Sequence, residues 1–193
     1  MENPSPDNKD DWESVRQWRR AKRDLLIRAR IGIGKEKRKR CLQEIQAKIL
    51  QYFSSLSTGI IGFYWPMKGE FDLRSLVADC LEQGWQASLP AVVEAGSPLE
   101  FREWNPGVKL MPGVWNIPVP QERNIVRPTV LLVPLVGFDN QNYRLGYGGG
   151  YYDRTLANAG KRPVTIGVGL ETSRLDTIYP QWHDIAMDRI VTV

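Results

Sequence analysis

The chain has 193 residues, 42% hydrophobic and 25% charged, close to soluble globular averages and enough to bury the core of one domain. No apolar run reaches the ~18 residues of a membrane span, the polar opening MENPSPDNKDD is unlike a secretory leader, and two cysteines, Cys41 and Cys80, are too few for a metal cluster and indicate free thiols in a reducing cytoplasm. The net charge of +4 is uneven: residues 11–48 carry 13 basic and 5 acidic side chains, the remainder 13 and 17, which suggests either an anionic partner or a solvated helix face.

Residues 1–10, rich in Pro, Asn and Asp, predict a disordered tail, and residues 11–193 a single domain. A helix over 11–31 is expected, N-capped by Asp11, with Val15, Trp18, Lys22, Leu25 or Leu26 and Ala29 at helical spacing. GIGKE breaks it, and a second helix runs from Lys35 to Phe53. TGIIGFYW (58–65) reads as a short strand. A helix over 71–83 ends at Gly84, a C-cap residue. Strands follow in WQASLPAVV (85–93) and LEFREW (99–104). PTVLLVPLVGF (128–138) is a continuous apolar run of buried-strand type. A helix over 151–158, a buried strand in PVTIGVGL (163–170) and a last strand in DRIVTV (188–193) complete the order. Strands alternating with helices predict an α/β fold: a three-layer, Rossmann-like open sheet, mostly parallel, with helices on both faces and a helical segment at the N-terminus.

In such a sheet, ligands bind beyond the carboxyl ends of the strands. RLGYGGGYYDR (144–154) lies there, after the apolar run and before a helix, with four glycines in the five positions 146–150. Backbone N–H groups of a glycine-rich turn and the positive end of a helix suit phosphate. It is no Walker A loop, since no Gly-Lys-Ser/Thr follows. Nor is it the dinucleotide fingerprint, because Gly150 falls one residue early after Gly146 and Gly148. A tight structural turn accounts for the glycines alone. The neighbours favour a nucleotide: Arg144 offers a fork for phosphate, Tyr147, Tyr151 and Tyr152 offer rings and hydroxyls, and Asp153 suits a Mg²⁺ on the phosphates.

The same segment resembles the signature of the 5-formyltetrahydrofolate cyclo-ligase family, also called methenyltetrahydrofolate synthetases. FYWPMKGEFD (63–72), SLPAVV, LEFREW, GVWNIPVP (113–120), VPLVGFD (133–139) and HDIAMDRIVT (183–192) resemble other motifs of that family in order, over about residues 16–193. The resemblance implies conversion of 5-formyltetrahydrofolate to 5,10-methenyltetrahydrofolate with ATP and Mg²⁺. It implies that Arg144 and Leu145, the loop Gly146, Tyr147, Gly148, Gly149 and Gly150, and Tyr151 and Tyr152 lie on ATP. Arg144 and Tyr151 become the catalytic candidates, and Tyr147 to Tyr151 also border the folate. Glycines there let two ligands approach within bonding distance.

By the same resemblance, Arg19 and Arg23 match two basic residues, four apart on one helix face, that contact ATP phosphates, with Arg20 and Lys22 as alternates. Glu70 matches an acid that binds the pterin, its carboxylate accepting two hydrogen bonds from the amino-pyrimidinone edge; alone it reads as a charge at a helix start. Trp65 matches a position lining the substrate, and Asp153 and Asp184 match the Mg²⁺ carboxylates. Val119 departs from the glutamate or glutamine common in IPEP-like versions. The expected partner is the small folate substrate, on a monomer without membrane attachment. A nucleic-acid-binding protein on this fold, suggested by the basic segment, has no use for GYGGGYYD. A folate-binding paralogue without turnover has Val119 and Lys22 as its only support.

Overall fold

The computed structural model describes residues 5, 6, 8, 9 and 11–193, so the expected tail falls largely outside the described residues. Helix α1 spans Trp12–Ile31, and the Asp11 carboxylate caps it by accepting the Ser14 N–H at 2.9 Å. Helix α2, Lys35–Phe53, follows the Gly32–Gly34 break. Arg38 bridges that break: its guanidinium donates to the Arg30 carbonyl at 2.7 Å and to the carbonyl of Gly69, answering a helix-end acceptor that has no partner within α1.

Six strands form the main sheet: β1 (Ile60–Gly62), β2 (Gln86–Ala91), β3 (Glu100–Glu103), β6 (Val130–Pro134), β9 (Val164–Gly169) and β11 (Arg189–Thr192). Their order is β11-β9-β6-β1-β2-β3, and every pairing is parallel except β2 with β3. A hairpin of β4 (Leu110–Pro112) and β5 (Pro118–Pro120) stands apart. Along β6 the side chains alternate. Val130 and Leu132 join a large core with α2 and with α3 (Arg74–Glu82), while Leu131 and Val133 face a smaller core with Leu156 of α4 (Tyr151–Ala157). The result is the expected three-layer α/β sandwich. Among the described residues no helix is long and apolar enough to cross a membrane.

The short strands β4 and β5 are not expected from the sequence, and two expected elements take other bounds. The apolar run 128–138 predicts one strand and gives two. The bonding to β9 ends one residue past Pro134, with the Leu135 N–H on the Val168 carbonyl, and β7 (Gly137–Asp139) then leaves the sheet to pair with β8 (Arg144–Leu145) and β10 (Arg174–Leu175). Helix α3 starts at Arg74 rather than Phe71, because Phe71 and Leu73 are buried in a loop and the Asp72 carboxylate caps the Arg74 N–H at 3.1 Å.

The chain leaves β1 toward β2 on one side, and later leaves β6 toward β9 on the other. Their carboxyl ends therefore border a crevice, the usual ligand position in open α/β sheets. The loop carrying Glu70 follows β1, and the glycine loop follows β6 through β7 and β8. At Gly62 in the central strand, a Cβ would lie 2.4 Å from Leu131 Cδ2 and 2.9 Å from Pro128 Cγ. Gly62→Ala is expected to destabilise the fold by about 1–3 kcal/mol through overpacking, read as a lower denaturation midpoint at unchanged m-value.

Candidate active site

Glu70 sits where the chain reverses. Lys68 (φ 47°) and Gly69 (φ 79°) are both left-handed, a conformation open to glycine and strained for lysine. The reversal turns the Glu70 carboxylate back so that Oε2 accepts the Met67 N–H at 2.9 Å. Oε1 accepts the Tyr147 hydroxyl at 2.6 Å. Burial pushes the Glu70 carboxyl above its ordinary range, against the Tyr147 hydroxyl, the Met67 N–H and the charges of Arg30 and Lys68. Arg30, buried on α1, donates to three separate segments: the Lys68 carbonyl at 3.0 Å, the Leu135 carbonyl at 3.0 Å and the Tyr147 hydroxyl at 2.6 Å.

The glycine loop closes against α1 and α4. Arg23 Nε donates to the Gly146 carbonyl at 2.7 Å, and a Cβ on Gly148 (φ 94°) would lie 3.4 Å from the Arg23 guanidinium carbon. Gly150, also left-handed at φ 64°, opens α4 without a side-chain cap. Arg154 donates to the Gly149 carbonyl and lies 5.0 Å from the Tyr151 ring. The Trp115 ring, on the β4–β5 turn and mostly exposed, meets the Tyr151 ring edge-on at 5.8 Å. A cavity of about 490 Å³ runs from Tyr147 and Gly148 along α1, lined by the cations Arg16, Arg20, Arg23 and Lys68, which outnumber the carboxylates Glu13 and Asp24. That density of cations facing bare backbone suits a polyphosphate.

The structure places some expected residues differently. Arg19, expected on phosphate, is buried: Nε donates to the Ile178 carbonyl at 2.9 Å, and Nη2 to the Tyr179 carbonyl at 2.8 Å and to Asp184 Oδ2 at 2.6 Å. Asp184, expected on metal, thereby closes an ion pair and also accepts the Gln181 N–H at 2.7 Å. Burial opposes ionisation of Asp184, but the Arg19 and Gln181 hydrogen bonds outweigh it and hold the carboxyl below the usual range. A buried charge must be paired, and these two pair with each other. Arg144 is likewise taken up by Asp153 Oδ2 at 2.8 Å and the Ile185 carbonyl at 2.9 Å, and Asp153 Oδ1 accepts the Ile185 N–H at 3.0 Å. Asp153 thus reaches the backbone of the residue next to Asp184, while the Asp184 carboxylate itself is turned to Arg19. Among the described residues no group of three or more His, Cys, Asp or Glu is placed to hold a metal. A Mg²⁺ arriving with phosphates needs only one or two carboxylates, and Asp153, with lone pairs left on both oxygens, fits it better than Asp184.

Leu145 is buried and its carbonyl accepts the Val136 N–H, so its side chain faces the core rather than a nucleotide. Tyr152 packs against the smaller core, and burial pushes its hydroxyl pKa up. Trp65 packs on the large core under the Arg74 guanidinium, 4.4 Å from its ring centre. It lines a different cavity, of about 470 Å³, with Trp104 and Leu42. Val119 is buried beneath the β4–β5 turn, where a Cβ on Gly113 would come within 3.0 Å of it. Arg16, Arg30, Lys68 and Trp115 belong to the site and were not singled out by sequence. The spacing Arg16, Arg20, Arg23 and Ile27 marks one helical face and was available.

The chain matches the sequence model of the 5-formyltetrahydrofolate cyclo-ligase family over residues 15–193. It is 26% identical over 176 residues to the 5-formyltetrahydrofolate cyclo-ligase of Escherichia coli, covering 87% of this chain and 96% of that one. It is 38% identical to the cyclo-ligase of Mycoplasma pneumoniae over 76 residues, 38% of this chain and 46% of that relative's length. The solved structure of 5,10-methenyltetrahydrofolate synthetase from Aquifex aeolicus superposes with a TM-score of 0.73 at 28% identity, covering 90% of this chain and 89% of that one.

The Arg19–Asp184 pair yields a stability prediction, since only 6% and 12% of the two side chains are exposed. Asp184→Ala leaves a buried guanidinium without its counter-charge and is expected to cost about 3–5 kcal/mol, measured by chemical denaturation. Because the folded carboxyl titrates below its unfolded value, the stabilisation is complete above the ordinary aspartate range. It is lost as pH falls through the folded pKa. Asp184→Ala should therefore lie furthest below the parent protein near neutrality and converge with it in acid.

Proposed function

Since the chain belongs to the 5-formyltetrahydrofolate cyclo-ligase family, we propose that it closes the ring of 5-formyltetrahydrofolate to 5,10-methenyltetrahydrofolate with ATP, releasing ADP and phosphate. The observation that carries the reading within this chain is the meeting of two half-sites at one crevice. The glycine loop, over a cavity lined by Arg16, Arg20, Arg23 and Lys68, lies one hydrogen bond from the buried Glu70 carboxylate.

The chemistry asks for that juxtaposition. A formyl amide is a poor electrophile. Attack of its oxygen on the γ-phosphorus expels ADP and turns that oxygen into a leaving group. N10 then attacks the formyl carbon, the C–O bond breaks with departure of phosphate, and the N10 proton is lost. No protein nucleophile takes part. The protein aligns oxygen with phosphorus and stabilises the charge spreading over the phosphoryl oxygens. Glu70 would accept the amino-pyrimidinone edge, fixing the pterin. Arg23 and its neighbours along α1 would receive the triphosphate, and the Tyr151 and Trp115 rings would cover the reacting end. Arg144 and Arg19 would exchange a carboxylate for phosphate oxygen, freeing Asp153, and Asp184 beside it, for Mg²⁺. The ion would neutralise phosphate charge there. Cys41 and Cys80 are free thiols, and the reading places the enzyme in the cytoplasm as a monomer.

The decisive experiment supplies ATP, Mg²⁺ and 5-formyltetrahydrofolate and follows the methenyl chromophore in the near ultraviolet. Omission of any one should abolish the signal, and no signal with all three would defeat the reading. Arg23→Ala is expected to raise KM for ATP about tenfold, the worth of a charge-assisted hydrogen bond, with KM for the folate nearly unchanged. At Gly149 an added Cβ would sit 2.7 Å from Cδ2 and Cε2 of Tyr151, so alanine must displace that ring. Gly149→Ala should shift Tm by only a few degrees yet lower turnover about a hundredfold, the effect of roughly 1 Å of misplacement. A variant with full turnover would show that the ring is not part of the reacting site.

A further inference from the structure

Tyr147 belongs to both halves of the site. Its backbone lies in the glycine loop, between the Gly146 carbonyl that Arg23 holds and the left-handed Gly148. Its hydroxyl reaches the Glu70 carboxylate on the other side of the crevice. That hydroxyl accepts from Arg30 Nη2 and donates to Glu70 Oε1, both at 2.6 Å. Arg30 itself stands 3.8 Å from Glu70 Oε1, too far for a hydrogen bond, so its charge acts on the carboxylate across that gap while its N–H goes to the tyrosine.

Resting on the cyclo-ligase reading, we propose that Tyr147 is a positioning residue. Oriented by Arg30, it holds the Glu70 carboxylate ionised and aimed for the folate, and so links the folate side of the site to the loop that cradles the nucleotide. The geometry supplies the reasons. A hydroxyl whose acceptor side is occupied by a guanidinium has its proton directed at the carboxylate. Oε1 receives Tyr147 and Oε2 receives the Met67 N–H, which fixes the carboxylate plane and leaves one lone pair on each oxygen for a paired N–H edge. Glu70 is also faced by Lys68 on its own loop, Arg30 on α1, Tyr64 at the end of β1 and Tyr152 on α4. Burial pushes the Tyr147 hydroxyl pKa well up, so the tyrosine keeps the proton it donates to Oε1, and that bond favours the charged form of Glu70 against the effect of burial.

The test binds 5-formyltetrahydrofolate, without nucleotide and across pH 5 to 8, to the parent protein, Tyr147→Phe, Glu70→Gln and the double variant. Tyr147 is 38% exposed, and phenylalanine keeps the ring under Lys68 and Arg30, so the variant should fold, as a melting curve will verify; Tyr147→Leu gives the same readout if it does not. At neutral pH, Tyr147→Phe should weaken binding about tenfold. The acid limb of its binding profile should move to higher pH, because Glu70 loses a bond that favours its charged form. In the Glu70→Gln background the same change should add less than a twofold loss, since the hydroxyl then has no carboxylate to hold. Under turnover KM for the folate should rise, and KM for ATP should stay within twofold. An unshifted acid limb, or an equal loss with and without Glu70, would overturn the proposal and reduce Tyr147 to packing. Failure of the parent protein to bind the folate would instead defeat the cyclo-ligase reading.

Discussion

A buried guanidinium must have its N–H groups answered, and in this protein that requirement decides where α1 lies. Arg30 and Arg19 are both buried on that helix, and between them they reach the ends of β1 and β6, the glycine loop and the segment 178–184. Val15 is the one fully buried apolar side chain on α1, and Leu25 is exposed. Polar geometry therefore seats the helix more than apolar area does. Hydrophobic packing tolerates sliding, whereas a fork that must meet carbonyls on different segments does not. The next face of α1, carrying Arg16, Arg20 and Arg23, is thereby held against the glycine loop with its charge turned into the cavity.

The glycines follow from that close approach. Arg23 lies directly beneath Gly148, the Tyr151 ring fills the space a side chain on Gly149 would need, and Arg154 crowds Gly150 in the same way. Around the crevice the chain packs to contact distance. Arginines and carboxylates neutralise one another there, Arg19 with Asp184 and Arg144 with Asp153. A buried ion left without its partner is costly, so each of these pairs meets a requirement of the fold itself.

Much of this was legible in the sequence. The α/β order, both long helices, the Asp11 cap and the location of the glycine segment follow from periodicity, capping chemistry and strand-to-helix alternation. The parts that were not legible share a cause: each depends on a partner far away in the chain. The stripe Val15, Trp18, Lys22 describes an amphipathic helix, but nothing local shows that Arg19 and Arg30 point inward, since burial of arginine depends on carbonyls more than 100 residues away. The apolar run 128–138 reads as one strand because nothing local shows that the chain leaves β9 after Leu135 to pair with residues 144–145 and 174–175. Leu145 and Tyr152 share the glycine signature yet turn to the core, because Leu145 pairs with Gly137 on β7 and Tyr152 packs on the cluster of Phe101 and Leu131. Trp115 lacked a signal because its place over Tyr151 depends on how the β4–β5 turn folds across the sheet.

The seating of α1 also bears on the order in which the chain assembles. Arg19 joins partners 159 to 165 residues downstream, and Arg30 requires residues 135 and 147. During synthesis α1 leaves the ribosome long before any of these exist, and its buried arginines find their partners only once residues up to 184 have emerged. Loop closure over such separations is slow. The seating of α1 is therefore a late event, and the cavity along its basic face is completed only with it.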